Sequence, residues 1–161
     1  MINIPKSLID AVIMVLTETH LRDFLNDIDV VRADDVDYVR VAELDKQFPN
    51  NTYSEKQFRK SEYSLSVAKD SMNRLHGYIL TKPGDDSTLI VKMLTNKQSR
   101  KSGVASKLLD HVINRDGRVS LNVRHHNIDA ISLYTKKGFR LHHIEQAYYR
   151  NGDDAYHMRN F

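Results

Sequence analysis

The sequence predicts a mixed α/β (α+β) fold, and three observations carry the prediction. Stretches in which apolar and polar residues alternate are interleaved with segments in which apolar residues recur at helical spacing. The alternating stretches between residues 63 and 95 follow one another across turn residues, as in an antiparallel meander, whereas later ones are separated by helical segments. The length of 161 residues is that of one domain on the usual scale of about 100–200 residues. The expected order is βααβββαβαββ, a mixed central sheet with helices on both faces over residues 28–161, preceded by a helical extension over residues 1–27.

Composition narrows the function classes. Lys plus Arg less Asp plus Glu is 24 − 21 = +3, too small an excess to argue for nucleic acid. Hydrophobic residues at 40% and charged residues at 28% belong to a globular chain rather than a disordered one. The absence of cysteine excludes disulfides, thiolate metal sites and a cysteine nucleophile, and the expected location is the reducing cytoplasm. The longest apolar run, Ala11 to Leu16, is far short of the ~20 residues of a membrane span, so no membrane partner is expected.

The extension opens at Pro5 and Ser7 and runs as a helix to Leu25. Leu8, Val12, Val15 and Leu16 share one stripe, Leu21, Phe24 and Leu25 another, and Ile9 and Ile13 widen the apolar face. Such a helix packs on its own domain in the commoner case and docks a partner or a second copy in the other. Ile28 to Arg32 forms a short strand. Asp34 then caps a helix that carries Val41, Leu44 and Phe48 inward, and Phe48-Pro49 ends it. Asn50 to Thr52 make a loop, and Ser54 with Gln57 has the capping-box spacing of a short helix through Phe58. Tyr63, Leu65 and Val67 alternate with serines, Asp70 to Arg74 turns the chain into Leu75 to Thr81, and Pro83-Gly84-Asp85-Asp86 turns it into Leu89 to Thr95. Ser102 to Asn114 places Val104, Ala105, Leu108, Leu109, Val112 and Ile113 on one face, as in a helix covering a sheet, and Gly117 ends it. Val119, Leu121 and Val123 alternate as a strand, Asn127 caps a helix through Lys137, and Gly138 supplies a left-handed exit. Leu141 to Tyr149 and Asp154 to Phe161 close the chain as a hairpin around Asn151-Gly152.

Chemistry concentrates at two places. Arg100-Lys101-Ser102-Gly103-Val104-Ala105, of pattern R-x-x-G-x-A, stands where a strand hands over to a helix. Gly103 lets backbone approach a ligand closely, the first amides of the helix present partial positive charge suited to a pyrophosphate, and Arg100, Lys101 and Lys107 add cationic reach. Downstream comes Asn127-x-x-Ala130-x-x-Leu133-Tyr134-x-x-x-Gly138-Phe139. In order and separation these segments resemble the first and second signatures of the GNAT acetyltransferase superfamily. A closer resemblance is to its N-terminal protein acetyltransferases, both RimI-like enzymes and those like the catalytic subunit of the N-terminal acetyltransferase A complex. It rests on Val119 to Arg124, the Asn127 to Phe139 segment, Tyr148 to Met158, Gln47 to Pro49 and Ser54 to Phe58, and spans about Ile28 to Phe161.

The resemblance implies acetyl-CoA as acetyl donor, between the strand ending at Thr95 and the strand ending at Arg124. Its pyrophosphate is expected on the amides of Lys101, Ser102, Gly103, Val104, Ala105 and Ser106, beside Arg100, with Asn127 in the second cofactor signature. The backbone of Met93, Leu94 and Thr95 is expected to hold the pantetheine arm and thioester. An amine attacks the thioester directly, with backbone N–H groups stabilising the oxyanion. Tyr134 falls at the family's general acid, and an ordinary phenol pKa near ~10 keeps it protonated at neutral pH.

Where relatives often carry Glu or His as base stands Asn122, and a Glu in the first helix-loop of the eukaryotic relatives falls on Asn50. An amide cannot take a proton, so a water held by Asn122, His125, His126, Glu43 and Asp45 stay open as the base. Phe48, Pro49 and Asn50 in that first helix-loop, and a tyrosine pair at Tyr148 and Tyr149, are expected to meet the acceptor peptide.

A site without a strong base suits an α-amine. With a pKa of roughly 7.7–8.0, about a tenth of an α-amine is neutral at pH 7, against about one molecule in 2,500 for a Lys amine near ~10.4. The expected function is acetyl transfer from acetyl-CoA to the N-terminal α-amine of a protein or peptide. A GNAT activity on a Lys side chain, small amine or polyamine, and a catalytically weak CoA-binding sensor or partner subunit, are the alternatives. No metal is expected, because His125-His126 and His142-His143 are neighbours whose side chains alternate on a strand and no carboxylate recurs at ligand spacing. Lys97, Arg100, Lys101 and Lys107 are assigned to CoA phosphates rather than to nucleic acid.

Overall fold

A computed structural model describes residues 4–161 of the chain; residues 1–3 of the predicted extension lie outside them. The elements are α1 (Lys6–Asp27), β1 (Asp29–Arg32), α2 (Asp35–Asp45), α3 (Glu55–Phe58), β2 (Ser64–Lys69), β3 (Leu75–Pro83), β4 (Thr88–Thr95), α4 (Val104–Asp116), β5 (Val119–Arg124), α5 (Ile128–Lys136), β6 (Arg140–Glu145) and β7 (Ala155–Arg159). From β1 onward this is the predicted order. Asp34 and Ser54 cap α2 and α3 through capping boxes with Asp37 and Gln57. Gly117 and Gly138 take the positive φ values of 74° and 87° that end α4 and α5.

The strands form one sheet in the order β1-β2-β3-β4-β5-β7-β6. All pairs are antiparallel except β4 with β5, whose parallel pairing needs the crossover that α4 supplies. One sheet face is covered by α4 and α5, where Leu108, Leu109 and Val112 meet Ile79, Leu121 and Phe139. The other is covered by α2 and α3, where Val41, Leu44 and Phe58 meet Leu65, Val67, Tyr78 and Leu80. Helices therefore stand on both faces, as expected. At Gly77 of β3 an added Cβ would lie 2.7 Å from the Leu94 carbonyl and 3.2 Å from Leu108, so glycine allows β4 and α4 to close on β3 together.

Two expectations are corrected. Helix α1 does not pack along its length on the domain: Leu8, Val12, Val15 and Leu16 stay exposed, and only Phe24 and Leu25 are partly covered before the buried Ile28. Apolar residues at consecutive positions 12 to 16 encircle the helix rather than forming one stripe, so no single face can bury them. Among the described residues no helix is long and apolar enough to cross a membrane.

The closing hairpin is also shorter than expected, its strands ending at Glu145 and starting at Ala155, with residues 146–154 as a loop. The Gly152 amide donates to the Tyr149 carbonyl at 2.8 Å, so Gly152 is the last residue of a four-residue turn rather than its centre, a place glycine also favours. Tyr148 and Tyr149 thus leave the strand and belong to the loop.

Candidate active site

Strands β4 and β5 pair only at Thr88, Leu89 and Ile90 with Val119, Ser120 and Leu121, although both run on to Thr95 and Arg124. The cause lies on the other side of β4. Leu80 of β3 pairs with Lys92 while Thr81 pairs with Ile90, which leaves Val91 as an extra residue in β4. A bulge bends its strand and increases local twist, and this one falls where β4 leaves β5. The edge of β4 toward β5 is consequently without a strand partner from Val91 to Thr95. This edge includes Met93, Leu94 and Thr95, the residues expected to hold a pantetheine arm.

Beyond β4, the side chain of Asn96 accepts the Gln98 amide at 3.1 Å and starts a short turn of helix over Lys97–Ser99. The chain then passes through Lys101 at φ 56° and Gly103 at φ 91°. Holding a lysine in the left-handed region costs on the order of 1–3 kcal/mol, and such strain gathers at ligand-binding turns. No side chain caps α4. Its first helical bond is Lys107 N–H to the Gly103 carbonyl at 3.0 Å, so the Val104, Ala105 and Ser106 amides have no acceptor within the helix. With α4 13 residues long and no acid in its first turn, this N-terminus fits a diphosphate.

The neighbouring cations divide. The Arg100 guanidinium and the Lys97 ammonium lie 4.8 Å and 5.3 Å from the Phe48 ring centre. Lys107, expected to reach the phosphates, instead donates to the Ile28 carbonyl at 2.7 Å.

The ground beneath this loop is fixed by His76, whose Nδ1 lies 2.8 Å from Ser99 Oγ and whose Nε2 lies 2.9 Å from Asp70 Oδ2. Burial alone would raise the Asp70 pKa. Hydrogen bonds from His76 and Arg74 outweigh it and hold the carboxyl well below the usual range.

On the α2 and α3 face an open cleft of about 700 Å³ is lined by Pro49, Asn50, Asn122, Tyr148 and Tyr149, five residues expected at the acceptor and base positions. Phe48 is not among its walls. Asn122 Nδ2 donates to Tyr148 Oη at 3.2 Å, and Asn122 Oδ1 stands 2.8 Å from His157 Nδ1. His157 faces Asn122 across the β5–β7 ladder, a pairing that no local sequence signal carries. Burial and then the nearby His143 lower the His157 pKa below that of an ordinary histidine. Arg124 lies over the Tyr149 ring at 3.8 Å and donates to Asp153 at 2.7 Å. Lys82 and Arg150 also line the cleft, and no Asp, Glu or His does.

Tyr134 lies on the opposite face, 8% exposed and in contact with Phe139 at 5.9 Å between rings. Asn127 caps its helix, accepting the Ala130 amide at 3.3 Å. Among the described residues the Tyr134 hydroxyl bonds to no protein group, yet no buried side-chain oxygen lacks a partner. The phenol oxygen therefore still reaches solvent. Burial pushes its pKa up to about 12.

The candidate bases separate as well. Asp45 is fully buried, accepting from Tyr78 Oη at 2.6 Å, the Tyr53 amide at 2.7 Å and Lys92 Nζ at 2.6 Å, so it is structural. Glu43 pairs with Lys46 on the surface, away from the cleft lining. His126 bonds Asp153 at 2.9 Å, and His125 Nδ1 stands 3.3 Å from the Asp154 carbonyl.

The reasons for expecting no metal at His142-His143 are corrected. A register shift between Leu141 and His143 breaks the alternation there, and Glu145, two residues on from His143, supplies a carboxylate at ligand spacing.

The site is thus a strand pair that opens beside a bare helix N-terminus, with a phenol on one face and a cleft on the other. The profile of the acetyltransferase (GNAT) domain matches residues 32–160, and the chain belongs to that family. It is similar to the N-terminal acetyltransferase A complex catalytic subunit NAA10 of Arabidopsis thaliana, at 35% identity over 106 residues that cover 59% of this chain and 55% of that protein. The chain thus spans about half the length of the curated relatives it matches.

Among solved structures it resembles the ribosomal-protein-S18-alanine N-acetyltransferase of Escherichia coli, with a TM-score of 0.72 at 20% identity over 82% of this chain and 92% of that one. It also resembles Arabidopsis thaliana NAA60 in complex with acetyl-CoA, with a TM-score of 0.70 at 19% identity over 82% of this chain and 97% of that one. At these identities the likeness establishes the fold.

The Asp45 network generates a prediction. Asp45→Ala leaves Lys92, Tyr78 and the Tyr53 amide without their shared acceptor, which is expected to cost about 3–5 kcal/mol of stability. Urea denaturation measures it; an unchanged midpoint with unchanged slope would show that the network does not hold α2 to the sheet.

Proposed function

We propose that the chain is a cytoplasmic N-acetyltransferase, its catalytic domain over residues 28–161, that moves an acetyl group from acetyl-CoA to the N-terminal α-amine of a protein or peptide. The observation that carries the choice of acceptor is the charge of the cleft: Lys82, Arg124 and Arg150 line it and no carboxylate or histidine does. Arg124 is paired with Asp153, but a polyamine would still bring several positive charges against Lys82 and Arg150 with no carboxylate among the lining residues to receive them. A chain end brings one amine, then backbone carbonyls that arginine and lysine can bond. The likeness to the NAA10 subunit supports the same reading.

Acetyl-CoA, when bound, supplies an activated acetyl thioester that a neutral amine can attack without a covalent enzyme intermediate. The amides of Lys101 to Ser106 and the side chain of Arg100 offer positive potential to the donor's diphosphate. The unpaired edge of β4 at Met93, Leu94 and Thr95 offers backbone groups to an extended arm, as a sheet edge does to an added strand. Asn127 acts through its cap, which fixes the start of the helix that presents Tyr134. With its pKa pushed up to about 12, Tyr134 Oη holds its proton across the physiological range and is the chain's donor for a leaving thiolate.

On the acceptor side, Asn122 positions Tyr148 rather than removing a proton. Pro49, Asn50, Tyr148 and Tyr149 wall the peptide's path, and Phe48 supports the Lys97 and Arg100 cations. No group in the cleft takes the acceptor's proton, so solvent takes it.

Mass spectrometry decides the acceptor: peptides with a free N-terminus are expected to gain one acetyl on the α-amine, and N-blocked peptides containing Lys none. Acetyl found only on Lys would overturn the proposal. For a peptide acceptor, kcat/KM is expected to rise about tenfold per pH unit below the α-amine pKa of roughly 7.7–8.0 and to level off above it. The raised Tyr134 pKa gives no falling limb up to pH 10. A plateau reached already near pH 6.5 would reveal an enzyme base. Tyr134→Phe is expected to lower kcat by ~10²-fold while donor affinity, read by calorimetry, stays within about twofold; equal turnover would remove the phenol from the chemistry.

A further inference from the structure

The outer hairpin carries a group of side chains that the proposed reaction does not use. His143 on the edge strand β6 pairs across the ladder with His157 on β7, and Glu145 follows His143 by two residues on the same side. One donor atom from each of the three lies within 4.8 Å of the others. His143 Nε2 stands 3.2 Å from Glu145 Oε1, and the His143 and His157 rings stack with centres 4.6 Å apart. The register shift after Leu141 brings in a further imidazole, with His142 5.2 Å from His143 and 6.0 Å from His157 between ring centres.

The protonation of His157 follows from its neighbour. Asn122 donates to Tyr148 through Nδ2, so its Oδ1 faces His157 Nδ1 at 2.8 Å. An amide oxygen only accepts, and the bond therefore requires a hydrogen on Nδ1. In the neutral ring that leaves the Nε2 lone pair free. An imidazole whose one nitrogen donates to a fixed oxygen while the other stays open is the arrangement of metal-ligating histidines, in which the donated bond sets ring orientation and tautomer.

We propose that His143, Glu145 and His157 form a binding site for a divalent transition cation of the zinc class, with His142 in reach as a fourth ligand. Two or three imidazoles and one carboxylate suit zinc rather than calcium or magnesium, which take oxygen ligands. Ligand atoms around a tetrahedral zinc at about 2.0–2.1 Å lie roughly 3.4 Å apart. With His157 held by Asn122, rotation of the exposed His143 and the half-exposed Glu145 closes the remaining distance from 4.8 Å. Through His157 and Asn122 the site touches the Tyr148 wall of the acceptor cleft.

The test is titration of the full, tag-free chain with zinc chloride by calorimetry, followed by His143→Gln and Glu145→Gln, each checked by thermal melting. The expected result is one zinc per chain, weakened by about tenfold or more in either variant and unchanged in a His125→Gln/His126→Gln double variant. Absence of binding to the native chain, or binding lost only in that double variant, would overturn the proposal. NMR of the imidazole nitrogens supplies a reading independent of stability: zinc should shift His157 Nε2 and leave Nδ1 protonated. The Asn122 side-chain amide signal should move with the same stoichiometry, and an unmoved one would overturn the link to the cleft. None of these readings depends on acetyl transfer, so their failure is separate from failure of the proposed activity.

Discussion

The constraint on which the rest depends is the early parting of β4 from β5. Two strands that pair for three residues and then separate expose backbone edges inside the sheet, groups that cannot be left buried without a partner. The extra residue at Val91 sets the place. It keeps β4 bonded to β3 while turning it from β5, so the sheet opens in its middle without breaking. Everything chemical then has access from both sides: the α4 amides and Tyr134 on one face, the Asn122 and Tyr148 cleft on the other.

Each face has its own anchor. Under the cleft lined by Asn122 and Tyr148, Asp45 ties α2, the loop at Tyr53, Tyr78 of β3 and Lys92 of β4 into one buried node. Burial and the Asp45 bond hold the Tyr78 phenol far above its ordinary pKa, so this phenol keeps its proton, and its bond to Asp45, over any physiological pH. On the α4 and α5 face, the end of α1 reaches the loop at Gly103. An added Cβ on Gly103 would sit 3.0 Å from Leu25, and Phe24 meets the His76 ring edge-on at 5.2 Å. The extension is thereby linked to the loop at its last turn alone, while its apolar length stands clear.

Much of this was legible in the sequence because it rests on local rules. Capping boxes, turn dipeptides and the two apolar periods are short-range, and they placed every strand and helix from β1 to β7 in order. The helix starts at Gly103 and Asn127 were legible for the same reason, whereas Tyr134 stands out only through the resemblance of its segment to a family signature. What escaped depends on pairing between distant segments. The bulge at Val91 is defined only against β3, the contact of His157 with Asn122 only against β5, and the His143, Glu145 and His157 group only by the register of β6 on β7. Charges misled in a related way: Lys107 had the right position for a phosphate but its ammonium is held by Ile28, and Asp45 had the right chemistry for a base but is sealed in the core. The length of the last loop is not legible locally, because Asn151-Gly152 serves equally well at the end of a turn as at its centre.

The most direct measurement is amide hydrogen exchange with and without acetyl-CoA. If the opened strand edge and the bare helix start hold the donor, protection rises at Met93 to Thr95 and at Lys101 to Ser106, while the β1 to β3 amides exchange as before. Saturating donor with no added protection at either segment, or protection confined to other strands, would contradict the account.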